Sequence, residues 1–263
     1  MRDLKGEWFL ILAAAIVVGV AAFAALPKQT DHANGQKVTS DKKISEDTPG
    51  PTVDYDTAYK ALLLTDPKER ALREARNRRY NDRAPQPFGE MPSNFEGYDI
   101  HTHWLIGLPS LPIAQSDAVV LGEVVEAQAY LSADKKGVYS EFTIHIEEVL
   151  KDSSAAPLTV GGSLIAEREG GVIRFKDGRL LPFTINNQKM PRDGRQYVFF
   201  LKHSKQEEDY HIITGYEFGR GSVAPLDRGE QFDIYKGRDA QSFLTAAREA
   251  IAREPRSPQD NKR

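Results

Sequence analysis

The chain opens on an unbroken apolar block and later settles into alternation. Residues 9–26 read FLILAAAIVVGVAAFAAL, eighteen positions without a charge. A helix of that length rises about 27 Å, close to the hydrocarbon thickness of a bilayer. The segment is expected to be a transmembrane helix, with residues 1–8 as a cytoplasmic tail, Trp8 as an interfacial aromatic and Pro27 at its end. Lys28, Lys37, Lys42 and Lys43 follow it and only Arg2 and Lys5 precede it, so a count of basic residues alone favours the reverse orientation. A short first tail usually stays inside, however, and a long following domain translocates largely regardless of its charge. The rival reading is a cleaved signal peptide, with Ala22-Phe23-Ala24 as an A-x-A-like site. The first reading gives a single-pass protein of the cell membrane, the second a secreted one. Both put the bulk of the chain outside the cytoplasm, in the periplasm or at the cell surface.

Residues 27–54 show no apolar period and are rich in Lys, Asp, Thr, Gly and Pro, which reads as a flexible stalk. Residues 55–83 form a basic helical segment in two pieces. Ala58, Tyr59, Leu62 and Leu63 fall at helical spacing; then Thr65-Asp66-Pro67 breaks and restarts the helix, with Asp66 as cap and Pro67 at its first position. The second piece has a narrow stripe, Ala71, Leu72 and Ala75, among Lys68, Arg70, Arg73, Arg76, Arg78, Arg79 and Arg83. It suits either a helix touching anionic lipid or polymer, or a solvated helix laid on the domain. Residues 84–116, rich in proline and aromatics, are expected to wrap the domain irregularly.

From 117 to 221 the period is two. Ala118–Val125 is an apolar run broken by Gly122, which suggests a bulge or bend. In Tyr139–Leu150, Phe142, Ile144 and Ile146 alternate with polar residues until the phase slips at Glu147-Glu148. Further strands are predicted at Thr159–Arg168, Val172–Phe175, Leu180–Phe183, Gln196–Lys202 and Tyr210–Thr214, with Glu169-Gly170-Gly171 as a hairpin turn. This is a mainly β fold with flanking helices, an antiparallel barrel or, alternatively, a β-sandwich. After a linker from 222, Asp239–Arg253 is an amphipathic C-terminal helix with a stripe of Ala240, Leu244, Ala247 and Ile251 beside Phe243. Residues 254–263 read as a disordered tail.

Composition narrows the function classes. The chain has 263 residues, no cysteine and a formal net charge of −3. Disulfides, thiolate metal sites and a cysteine nucleophile are excluded, and bulk charge gives no argument for nucleic acid as a partner. The lack of cysteine and of any Asn-x-Ser/Thr sequence fits a bacterial envelope protein.

The succession SDAVVLGEVVEA, VYSEFTIHIEEVLKD, GRQYVFFLK and YHIITGYEFGRG, over roughly residues 116–221, resembles the OB-like barrels of the netrin and metalloproteinase-inhibitor type, and also uncharacterised membrane-anchored bacterial envelope proteins with that barrel. The resemblance implies a small antiparallel OB-like β-barrel in an extracytoplasmic setting. It carries no inhibitory residue across, because the inhibitors chelate zinc with an N-terminal cysteine that this chain lacks.

Candidate chemistry is sparse. His101 and His103 would share one face of an extended segment and are the local metal-like pair; a third ligand would come from His145, His203 or His211. The alternative is histidines solvated or packed in the wrapping segment. His145 falls on the polar face of its strand, and with Arg168 and Glu169 it marks a possible binding face. The Gly-x-Ser-x-Gly elbow, the H-E-x-x-H motif and phosphate loops do not occur. No catalytic residue and no cofactor is assigned. Phe142, Tyr197 and Phe199 read as core rather than as a base-stacking platform. The expected function is a non-enzymatic binding module, held to the membrane by residues 9–26 and facing a protein or cell-surface polymer. The alternatives are a metal-dependent enzyme using His101 and His103, and a structural subunit of a membrane complex.

Overall fold

Alternation from residue 117 onward becomes long, bulged strands. The computed structural model of the chain describes residues 50–56, 64–152, 156–206 and 208–254. These belong to one unit, Ser45–Arg263. The apolar segment 9–26, most of the stalk, the first helical piece around Ala58–Leu63 and the tail from 255 lie outside the described residues. Among the described residues no helix is long and apolar enough to cross a membrane.

The protein is mainly β, in two sheets. Its strands are β1 (Thr52–Asp54), β2 (Tyr98–Ile100), β3 (Ala118–Leu131), β4 (Val138–Lys151), β5 (Ser163–Glu169), β6 (Gly171–Arg174), β7 (Leu180–Ile185), β8 (Gln196–Ser204), β9 (Asp209–Gly219) and β10 (Ser222–Pro225). Among the described residues three α-helices accompany them: α1 (Pro67–Arg79), α2 (Glu230–Asp233) and α3 (Ala240–Ala252). The larger sheet runs β10-β9-β5-β4-β3-β8, and β8 also pairs with β9, so five strands form a closed cycle of pairings. All neighbours in the cycle are antiparallel except β5 and β9, which run parallel. The smaller sheet, β1-β6-β7-β2, is made partly from segments outside the alternating region. The end of the expected stalk supplies β1, which lies parallel to β6, and the wrapping segment supplies β2, parallel to β7.

Both faces are buried over Ala118–Gly122 of β3 and Tyr197–Leu201 of β8, which explains their continuous apolar runs. Val120, Val124, Phe142, Ile144, Leu164, Tyr197, Phe199 and Ile212 fill the inside of the cycle. Val119, Leu121, Val198, Phe200 and Tyr216 point the other way and pack under Phe232 of α2 and Phe243 and Leu244 of α3. A third cluster joins the ends of β3 and β4 to the smaller sheet and to Phe88. Asp239 caps α3 by accepting from the Ser242 amide at 2.9 Å, and its apolar face is the predicted one.

The β3–β4 register carries the predicted slips. Gly122 pairs with Ile146 while Leu121 pairs with Glu148, leaving Glu147 as an extra residue. The predicted hairpin at Glu169-Gly170-Gly171 is not one. β5 and β6 lie in different sheets, and Gly170, at φ 117°, carries the chain between them. The strand predicted from Thr159 starts later, because Thr159–Gly162 is a turn closed by the Gly162 amide on the Thr159 carbonyl.

Gly137 is a point of close approach between the β3–β4 turn and the segment after α1. A Cβ there would sit 2.0 Å from the Tyr80 carbonyl oxygen. Gly137→Ala is expected to lower stability by about 1–3 kcal/mol, as overpacking of a tight contact does. An unchanged urea midpoint would show that this contact yields freely.

Candidate functional site

A helix laid on a sheet ordinarily buries an apolar stripe. α1 does not. Its Ala71 is exposed, Leu72 and Ala75 are half-buried, and its buried residues are Arg76 and Asn77. The apolar stripe read from sequence is therefore not the face that docks. Asp66 and Pro67 start the helix as expected, with Asp66 accepting from the Lys68 amide at 2.7 Å.

Arg73, Arg76 and Arg79 recur every three residues, which places them along one side of α1. That side faces acids on three strands of the cycle. Arg73 makes a two-pronged contact with Glu141 of β4, one prong at 2.9 Å, and its guanidinium lies 4.2 Å from the Tyr130 ring centroid. Arg76 meets Asp209 of β9 and approaches Glu141 at 3.5 Å. Arg79 meets Glu167 of β5 and His211 of β9, and donates to Ser204 at 2.9 Å. Three guanidinium groups thus face three carboxylates, and the cluster balances its own charge. Burial and the charge of Glu167 together hold the Asp209 carboxyl up at about 6, against the pull of Arg76.

Glu167, Asp209 and His211 are the one metal-capable trio among the described residues, with ligand atoms within 4.8 Å of one another. The hydrogen bonding explains why they act otherwise. An arginine can only donate, so the His211 Nε2 beside Arg79 accepts, and its Nδ1 donates to Glu167 Oε1 at 3.0 Å. Both imidazole nitrogens are then engaged, and a metal would have to evict Arg79. The trio lies where β5 and β9 meet, a seam with two registered pairs, Ala166–Tyr210 and Glu167–His211. Its present role is to join that seam.

A second arginine joins the seam nearby. Arg168 is buried, with both guanidinium ends on Asp227 at 2.9 and 2.6 Å and further bonds to the Lys189 and Ile213 carbonyls. Thr214 and the Lys189 amide donate to Asp227, so the carboxylate is fully engaged. Trp104 lies 5.6 Å from that guanidinium. Arg168 therefore offers nothing to an external ligand. Glu169 pairs with Arg83 at 2.8 Å, and burial raises its carboxyl above the usual range.

His101 and His103 are both exposed, in an irregular stretch after β2. Extended-strand alternation does not apply there, and His101 lies 3.7 Å from Asp99. No third ligand joins them among the described residues.

His145 stands on the open outward face of β3, β4 and β5. Directly opposed residues there share a face. One row reads Glu123–His145–Ser163 and the next Glu126–Thr143–Ile165. The first row has the residue types of a nucleophilic triad, yet among the described residues no hydrogen bond joins its members. The Gly161 and Gly162 amides beside Ser163 are already bonded to the Ile146 and Thr159 carbonyls, so they are not free to form an oxyanion hole. The rows form a face suited to contact rather than to acyl transfer. Ile165, 41% exposed, and Val125, 50% exposed at the bulge before Glu126, add apolar area to it.

No protein-family model matches the chain, and no curated protein matches its sequence.

Proposed function

We propose that this chain is a non-enzymatic binding module of the cell envelope, anchored by residues 9–26 and presenting an OB-like β-barrel outside the cytoplasm. The barrel reading is supported by the closed cycle β3–β4–β5–β9–β8 with its single parallel pair. The observation that carries the functional reading is the contrast between two halves of one face. On one half of β4 and β5, Glu141 and Glu167 are consumed by α1; on the other, Glu126 and Ile165 are exposed and Glu123, Thr143 and His145 half-buried, with no helix laid over them among the described residues. An acidic rim around exposed aliphatic groups suits a protein segment with basic and apolar side chains.

The test is crosslinking of the tagged full-length chain in its native membrane. A reproducible partner is expected, and Ile165→Glu combined with Glu126→Lys should abolish its capture while leaving the fold intact. Capture that is indifferent to those changes, or turnover of a substrate by the purified chain that is lost with His145→Ala, would overturn the reading.

A further inference from the structure

Among the described residues, the half of the face that α1 covers is held differently from the face under α3. α3 is seated by buried Phe243, Leu244 and Ala247, the first two of them part of an apolar cluster. No residue of α1 belongs to any of the three apolar clusters. The first part of α1, Pro67–Arg76, meets the sheet through Arg73 on Glu141 and Tyr130 and through Arg76 on Asp209, while exposed Lys68 pairs with Glu208 at 2.8 Å. Arg70 turns back to the Leu64 carbonyl and adds nothing to the docking.

The last turn is fixed differently. Tyr139 donates to the Asn77 side chain at 2.6 Å, and the Ala133 amide donates to the Asn77 carbonyl at 3.1 Å. Tyr80 stacks on Tyr139 with centroids 4.6 Å apart, and the Asp82 amide reaches Asp134 at 2.8 Å. These contacts form a pivot, and they keep Arg79 on the seam. The helix is thus anchored at one end by aromatic packing and hydrogen bonds and along the rest by ionic contacts.

We infer that Pro67–Arg76 is a latch, which swings off the sheet about the Asn77–Tyr80 pivot and in doing so extends the open binding face by one row. The row it reaches is Gln128–Glu141–Glu167, adjacent in register to Glu126–Thr143–Ile165, and Glu141 is the member it frees, since Arg79 stays on Glu167. Opening adds Glu141 to the rim of Glu123 and Glu126, so the enlarged face fits a more basic partner than the closed one. The inference rests on the proposed binding face for its purpose, not for its existence.

Salt weakens ionic docking, most at the exposed Lys68–Glu208 pair and less at the buried Arg73 and Arg76 pairs, whereas it does not weaken apolar burial. Native-state hydrogen exchange on the full-length chain in detergent separates the two. Raising the salt from dilute to about 0.5 M, where the Debye length shrinks severalfold, is expected to speed exchange of the 71–76 amides on the order of tenfold, with β3, β4 and β8 unchanged. Arg73→Gln, which removes the two-pronged contact and leaves the seam intact, should give a similar acceleration at low salt. If the 71–76 amides exchange only with those of β4, at every salt concentration and in the variant, the latch does not exist. That result would leave the crosslinking outcome untouched. Loss of partner capture would conversely leave the exchange result standing.

Discussion

Asp227→Asn is expected to unfold at a much lower urea concentration than the wild-type chain, with a loss of about 3–5 kcal/mol. The size follows from what is left behind. The Arg168 side chain is 2% exposed, and Asp227 is the anion that both of its guanidinium ends meet. An asparagine keeps the shape but removes the charge and turns an amide donor toward other donors. A buried cation without its counterion is far more costly than a lost surface pair. The loss is a large share of a typical domain's total of roughly 5–15 kcal/mol. Trp104 beside Arg168 makes a local reporter, and its fluorescence in a Trp8→Phe background would follow the transition. Arg168→Met combined with Asp227→Leu should recover most of the loss, because no charge is then stranded. Full recovery is not expected, since the Lys189 amide, Thr214 hydroxyl and Ile213 carbonyl lose partners worth about 1 kcal/mol each. A cost below about 1 kcal/mol for the single change would mean that water or another anion reaches Arg168, contrary to its burial.

The residues of this pair show where sequence reading stops. Arg168 sits between Glu167 and Glu169 and reads as the charged end of a strand, on a possible binding face. Its true partner is 59 positions away, in a loop with no periodic signal. The same holds for α1. Its cap and first position were legible at Asp66 and Pro67, because capping is local chemistry. Its docking face was not, because Arg73, Arg76 and Arg79 look like a solvated face until β4, β5 and β9 bring their acids together. Strand positions fared better. Tyr197, Phe199 and Leu201 face the inside of the cycle, and Val198 and Phe200 face the helices, as alternation requires. The parallel pairs β1–β6 and β2–β7 join short segments more than 80 residues apart, and strands of three residues carry no readable period. The site followed the same rule. His145 was placed on the outward face by period two, whereas the His101–His103 pairing assumed a strand that ends at Ile100.

Asp209 gives the other large effect, through pH. In the unfolded chain its carboxyl titrates near 3.8, and in the folded protein near 6. Below pH 3.8 both states hold the proton, and this residue favours neither. Between the two values the folded state keeps a proton that the unfolded chain releases, so stability falls as pH rises. Above about 6 the folded state carries the full penalty, on the order of 2–3 kcal/mol. Asp54, Asp117, Asp134 and Asp239 act with the opposite sign, since hydrogen bonds to their charged forms lower them, and their window lies below 3.8. Glu169 acts in the same sense as Asp209. The contribution of Asp209 is therefore isolated by difference. Asp209→Asn should match the wild-type chain near pH 4 and equal or exceed its stability at pH 7, with the decline between about 4 and 6 reduced. Urea midpoints at half-unit pH steps would show it. Parallel curves would mean that Arg76 just offsets the burial of the ionised carboxylate and the charge of Glu167, so that ionising Asp209 costs the fold nothing. A divergence would mean the opposite, that burial and Glu167 outweigh Arg76.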